Sequence, residues 1–179
     1  GNWALNHFFG LSPEEREARV LLNSAEQDMM TGDHESAIVQ YQQALEIQPD
    51  LVEAWVGLGV IYDLQGREAE SQQALARAEN IVGDRANYLM ILARSYSGVG
   101  EYEQALTYAE EAVALAPDSA QALLIRGGIY EATDRRSEAL VDYERSATLA
   151  QESGQDALYV LARMRMGMLL QSGSGASGG

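Results

Sequence analysis

The phrase QALEIQPD (Gln43 to Asp50) returns as EAVALAPD (Glu111 to Asp118), with Pro49 and Pro117 at the same place in each. At half that separation, a period of about 34 residues, the chain agrees with itself again. Ala25, Gly59, Ala93 and Gly127 form one column of small residues. Ala37, Ser71, Ala105 and Ala139 form a second, and Ala44, Ala78, Ala112 and Ser146 a third. Leu21, Trp55, Leu89 and Leu123 are bulky at one fixed place, and Tyr62, Tyr96 and Tyr130 recur at another. A period of this length means that one supersecondary unit recurs and buries its apolar face against its neighbours.

Each unit reads as two helices. Apolar residues recur three and four apart, as in Trp55, Leu58, Gly59 and Tyr62, and so draw a stripe along one helix. Gly32, Gly66 and Gly100 interrupt the units where a helix end calls for positive φ, and Asp134 takes that place in the fourth. Pro49-Asp50, Gly83-Asp84, Pro117-Asp118 and Gln151-Glu152 separate the units, with an acid just ahead of each following helix. The small columns let helix axes approach to about 8 Å. Extra bulk at Ala105 or Gly127 is therefore expected to cost about 1–3 kcal/mol.

With WVGLGVIYDLQG (Trp55 to Gly66), LMILARSYSGVGEYEQAL (Leu89 to Leu106) and the two proline boundaries, the chain resembles the tetratricopeptide repeat proteins. The resemblance implies an all-α fold, a right-handed superhelical solenoid of antiparallel helix pairs. It divides the chain into an aromatic arm (1–12), four repeats (13–153), a closing helix (154–171) and a Gly/Ser tail (172–179) expected to be flexible. Three positions depart from the pattern: Asp28 replaces a tyrosine, Arg126 a leucine, and Ala109 a ring.

In such proteins the first helices line a concave groove that holds a peptide or helix of a partner. Carried onto this chain, the groove columns are Leu22, Val56, Met90 and Leu124, then Glu26, Val60, Arg94 and Gly128, then Met29, Asp63, Ser97 and Glu131. Asn87 stands near Arg94, and Tyr159, Arg163 and Met166 continue the surface on the closing helix. The wholly apolar first column suits a ligand with apolar anchors, such as an amphipathic helix or an extended segment; the competing reading is that it packs against other helices. Arg94 is set either toward an acidic group on a ligand or toward Asp63 or Glu131. Gly128 gives up about 1 kcal/mol of helix propensity, which suits either room for a ligand or tolerated drift. Some family members clamp the C-terminal carboxylate of heat-shock chaperones with Lys, Asn and Arg. Here there is no Lys, and Leu22, Glu26 and Gly57 occupy the matching places, so that partner class is not expected.

Net charge is −15 and all twelve basic residues are Arg, which disfavours nucleic acid as a partner. Without Cys there is no thiol chemistry, and no run of about 18 apolar residues is available to span a membrane. His7 and His34 lack metal-ligand spacing, and GLG at Gly57 to Gly59 lies inside a helix rather than after a strand. No enzyme, cofactor or metal site is therefore expected. Met164, Met166 and Met168 alternate along a helix and are expected to divide into core packing plus one exposed member. Trp3, Leu5, Phe8 and Phe9 precede the strong helix start Ser12-Pro13-Glu14-Glu15. They either cover the first repeat or form a self-association arm that makes the chain a homo-oligomer. Three functions are in view: an interaction scaffold for a peptide or helix of another protein, acting in assembly or secretion of a larger complex; a self-assembling structural protein; and one part of a larger regulatory or catalytic protein.

Overall fold

The computed structural model describes residues 10–174, so Trp3, Leu5, Phe8 and Phe9 lie outside the described residues. Among the described residues the elements are all helical: α1 (Pro13–Thr31), α2 (His34–Ile47), α3 (Val52–Leu64), α4 (Glu68–Val82), α5 (Arg85–Gly98), α6 (Tyr102–Leu115), α7 (Ala120–Ala132), α8 (Arg136–Glu152) and α9 (Asp156–Ser174). The chain divides into two compact units, Gly1–Asp84 with α1–α4 and Arg85–Gly179 with α5–α9. In the first unit α1 packs on α2, α2 on α3, α3 on α4, and α1 also meets α3. The second repeats this arrangement with α5–α8 and adds α9 against α8 and α7. Each unit is thus two stacked helix hairpins, an all-α solenoid arrangement.

The helix ends follow local chemistry. Ser12 caps α1 through a reciprocal pair: Glu15 N–H donates to Ser12 Oγ at 3.1 Å, and Ser12 N–H donates to Glu15 Oε2 at 2.6 Å. The hairpin turns reverse the chain at Gly32, Gly66, Gly100 and Asp134, with φ of 87°, 72°, 84° and 59°. Only the fourth turn meets that requirement with a side chain, and Asp tolerates it better than most residues. The last boundary falls later than the sequence reading places it. Helix α8 runs through Gln151 and Glu152, and the break comes at Gly154 (φ 69°). Residues 172–174, which the sequence reading places in the Gly/Ser tail, belong to α9, which continues to Ser174. Ser172 holds that last turn by donating to the Leu169 carbonyl at 2.9 Å and accepting from Arg136 Nη1 at 3.2 Å.

The small columns set how closely the hairpins pack. Ala25, Ala37, Ala44, Ala78, Ala93, Ala105, Ala112 and Ala139 are all inaccessible to solvent. A Cβ added at Gly127 would stand 2.7 Å from Tyr143 Cε1, and one at Gly59 would stand 2.5 Å from Leu75 Cδ2. Where serine replaces alanine in a column its hydroxyl finds a backbone acceptor. Ser71 donates to the Gly59 carbonyl and Ser146 to the Ala120 carbonyl, each at 2.7 Å. Asp28, at the tyrosine position of the other repeats, is likewise satisfied. It accepts from Ser36 Oγ at 2.6 Å and from Gln40 Nε2, and so ties α1 to α2 by polar contacts.

Candidate partner-binding surface

In the second unit the first helices of the hairpins lie side by side, with α7 touching both α5 and α9. Asn87 and Arg94 on α5 and Arg163 on α9 are exposed, while Leu124, Gly128 and Glu131 on α7 and Tyr159 on α9 are half-buried. Met90 belongs to the core, with 6 % of its surface exposed. Glu131 is engaged within the unit: it accepts from the Tyr143 hydroxyl and lies 3.6 Å from Arg165 of α9. That answers one alternative for Arg94, which is exposed and forms no salt bridge among the described residues. At Gly128 an added Cβ would meet only the Tyr143 hydroxyl, at 3.8 Å, so the protein's own packing does not require glycine there.

The first unit holds the remaining candidates on α1 and α3. Leu22, Met29, Val56 and Val60 are buried, and Met29 sulfur accepts from the Tyr41 hydroxyl at 3.7 Å. Glu26 is half-buried and Asp63 exposed. The apolar groove column is therefore largely core: of Leu22, Val56, Met90 and Leu124, only Leu124 keeps substantial surface. A shared repeat register fixes which side of a helix a residue occupies, but its depth depends on what the neighbouring helix places there. The polar and small members of the expected set remain at the surface, apart from buried Val60 and Met29 in the same columns.

The methionines of α9 also differ from expectation. Met166 packs against the core cluster of Tyr130, Ala139, Tyr143 and Leu169, but both Met164 and Met168 are exposed. They are four positions apart and so share one side of the helix with Val160 and Leu161, also exposed.

The departure at Arg126 marks the largest chemical difference between the units. Arg126 Nε and Nη2 donate to the two carboxylate oxygens of Asp142, at 2.7 and 2.8 Å, in a fork across α7 and α8. Asp142 is almost fully buried, and its hydrogen bond holds the Arg126 guanidinium above its ordinary pKa. Both Arg126 and Arg135 lie over the Tyr130 ring, at 5.6 and 4.5 Å from its centre. In the first unit the equivalent residues, two repeats earlier, are Leu58 and Ala74. Sequence reasoning noted Arg126 but did not join it to Asp142. The available signal was that both positions change from apolar to oppositely charged two repeats apart, Leu58 to Arg126 and Ala74 to Asp142.

Models of the tetratricopeptide repeat match the chain at residues 29–66, 52–81 and 92–157. Photosystem I assembly protein Ycf3 of Acaryochloris marina is 38% identical over 72 residues, covering 38% of this chain and 43% of that protein. Superkiller protein 3 of Schizosaccharomyces pombe is 35% identical over 79 residues, covering 44% of this chain and 6% of that protein. Anaphase-promoting complex subunit 7 of Homo sapiens is 24% identical over 119 residues, covering 66% of this chain and 21% of that one. The chain thus spans less than half the length of each of these relatives. Among solved structures, MamA is 20% identical with a TM-score of 0.41, over 87% of this chain and 91% of that one. With helix hairpins recurring at one constant period and repeat models matching between residues 29 and 157, the chain belongs to the tetratricopeptide-repeat family of protein-interaction scaffolds.

Proposed function

We propose that this chain holds a peptide or amphipathic helix of another protein on the faces of its first helices, in the assembly of a larger complex. The observation that carries the reading is Arg94, an exposed cation without a salt bridge among the described residues, on a helix beside α7. Half-buried Leu124 and Gly128 on α7 offer an apolar contact and room for a backbone. A ligand carboxylate pairing with Arg94 would be oriented by a charge-assisted hydrogen bond. The assembly role draws support from the 38% identity to a protein named for photosystem I assembly.

Arg94→Glu tests this. As an exposed substitution it leaves helix content and melting temperature unchanged, while lowering capture of the physiological partner about tenfold or more. The comparison is a quantitative pull-down from the source cells with wild-type and variant bait. Equal recovery of every bound protein by both baits would remove this face as the working surface. Met90→Asp is not a suitable companion, because Met90 is buried and a carboxylate there would disturb folding directly. The exposed stripe of Val160, Leu161, Met164 and Met168 on α9 favours a second reading, self-assembly through the end of the second unit.

A further inference from the structure

The first unit carries a surface lined by none of the partner-groove residues named above. Helices α2, α3 and α4 enclose an open cleft of about 710 Å³. Leu58 and Ala74, each 3 % exposed, and half-buried Trp55 line its apolar part. Glu46, Glu70 and Arg77, all exposed, stand at its polar part. Trp55 is fixed in place: its indole N–H donates to the Pro49 carbonyl at 2.9 Å, and the Arg77 guanidinium lies 5.4 Å from its ring. A smaller cavity of about 300 Å³, lined by Asp50 and Ile81 among others, shares Arg77 and extends the surface.

The second unit shows that the fold does not impose this opening. There the places of Leu58 and Ala74 are taken by Arg126 and Asp142, whose fork of hydrogen bonds spans α7 and α8. Trp55 is replaced by the fully buried Leu123. Two units of one architecture thus differ by an ion pair in one and an apolar cleft beside an indole in the other.

Charge identifies the occupant. Residues 1–84 hold fifteen carboxylates against four arginines, a net −11 of the chain's −15. At the cleft, Glu70 is engaged by Arg67, whereas Glu46 forms no salt bridge among the described residues. We infer that this cleft takes an aliphatic or aromatic side chain from a basic segment of a partner protein, with Glu46 and the acidic surroundings receiving the flanking cations. An acidic segment would meet the repulsion of the unit, and a segment without an apolar anchor would leave the half-buried Trp55 ring uncovered.

The test is calorimetric titration of the full chain with the capped hexapeptide RRWLRR. The inference expects saturable binding by wild type, and binding about tenfold weaker or worse with RRGGRR, which keeps the charge but lacks the anchor. EELFEE, which keeps an anchor but reverses the charge, is expected not to bind. The pair Leu58→Arg and Ala74→Asp fills the cleft as the second unit does and is expected to weaken binding about tenfold or more. Should that pair disturb folding, Trp55→Leu and the exposed change Glu46→Arg carry the same expectation. Arg94→Glu leaves hexapeptide binding unchanged, which separates this site from the surface around Arg94. Absence of saturable binding by wild type, equal binding of RRGGRR, or wild-type affinity in well-folded cleft variants would each overturn the inference. So would self-association of wild type that the cleft variants abolish, since the occupant would then be a second copy.

Discussion

Tyr143 serves two neighbours. Its ring fills the space that a Cβ on Gly127 would enter, and its hydroxyl donates to Glu131. Burial pushes its phenol above the ordinary range, and the hydrogen bond to Glu131 adds to this. Burial also raises Tyr41, with the Glu26 carboxylate contributing. The ordinary value is 10.0, so the unfolded chain loses these protons before the folded one does. Stability from both groups is complete below about pH 10 and is lost as pH rises through the higher folded values. Tyr41→Phe removes one of these proton losses and is expected to move the alkaline unfolding midpoint upward. Its neutral-pH stability should stay within about 1 kcal/mol, since the hydrogen bond lost is the weak one to Met29 sulfur. Circular dichroism across a pH series measures both, and an unchanged alkaline midpoint would contradict the assignment. At this scale the sequence displayed the small columns plainly, because each is one residue recurring at one register. Burial of Leu22, Val56 and Val60 was not legible, since depth is set by side chains on other helices.

Helix pairs differ in what joins them. In α7 and α8 the joint is ionic, and breaking a buried pair costs more than never having made it. Asp142→Ala leaves Arg126 without its partner and is expected to destabilise the fold by about 3–5 kcal/mol. Adding Arg126→Leu restores the combination found at Leu58 and Ala74, and the double variant should regain most of that loss. Urea unfolding of wild type, single and double variants forms the measurement; a double variant no more stable than the single would show that the pair does not act as a unit. The helices themselves were legible from the apolar spacing, and the hairpin turns from Gly32, Gly66, Gly100 and Asp134. The end of α8 was not, because Gln151-Glu152 carries no helix-stopping residue and the stop lies at Gly154. The cleft of the first unit was hidden for another reason. It is an absence of side-chain bulk, visible only when two columns on facing helices are compared together, Leu58 with Ala74 and Arg126 with Asp142.

For the molecule as a whole, the two readings of function separate on mass in solution. Self-assembly expects the full chain to exceed its monomer mass of 19.5 kDa in sedimentation. It further expects Met164→Glu with Met168→Glu to reduce that mass without loss of helix content, because both side chains are exposed. A chain lacking residues 1–11 tests the contribution of Trp3, Leu5, Phe8 and Phe9 in the same way. Monomers throughout would remove self-assembly and leave partner capture. The family and the helical architecture were legible over the entire array because a regular period is a property of many positions at once. The proposed partner surfaces were not, because they depend on the positions where the repeats disagree.

One such disagreement bears on how the chain finds its native pairing. Near-copies within one polypeptide offer each second helix more than one first helix to dock on during folding. Were α8 to dock on α3, Asp142 would be driven into an apolar seat beside Leu58 with no guanidinium to meet it. Such a swapped hairpin carries the penalty of an uncompensated buried charge, several kcal/mol in typical cases. The fork between Arg126 and Asp142 therefore favours the native hairpin over that swap, as a key favours one lock.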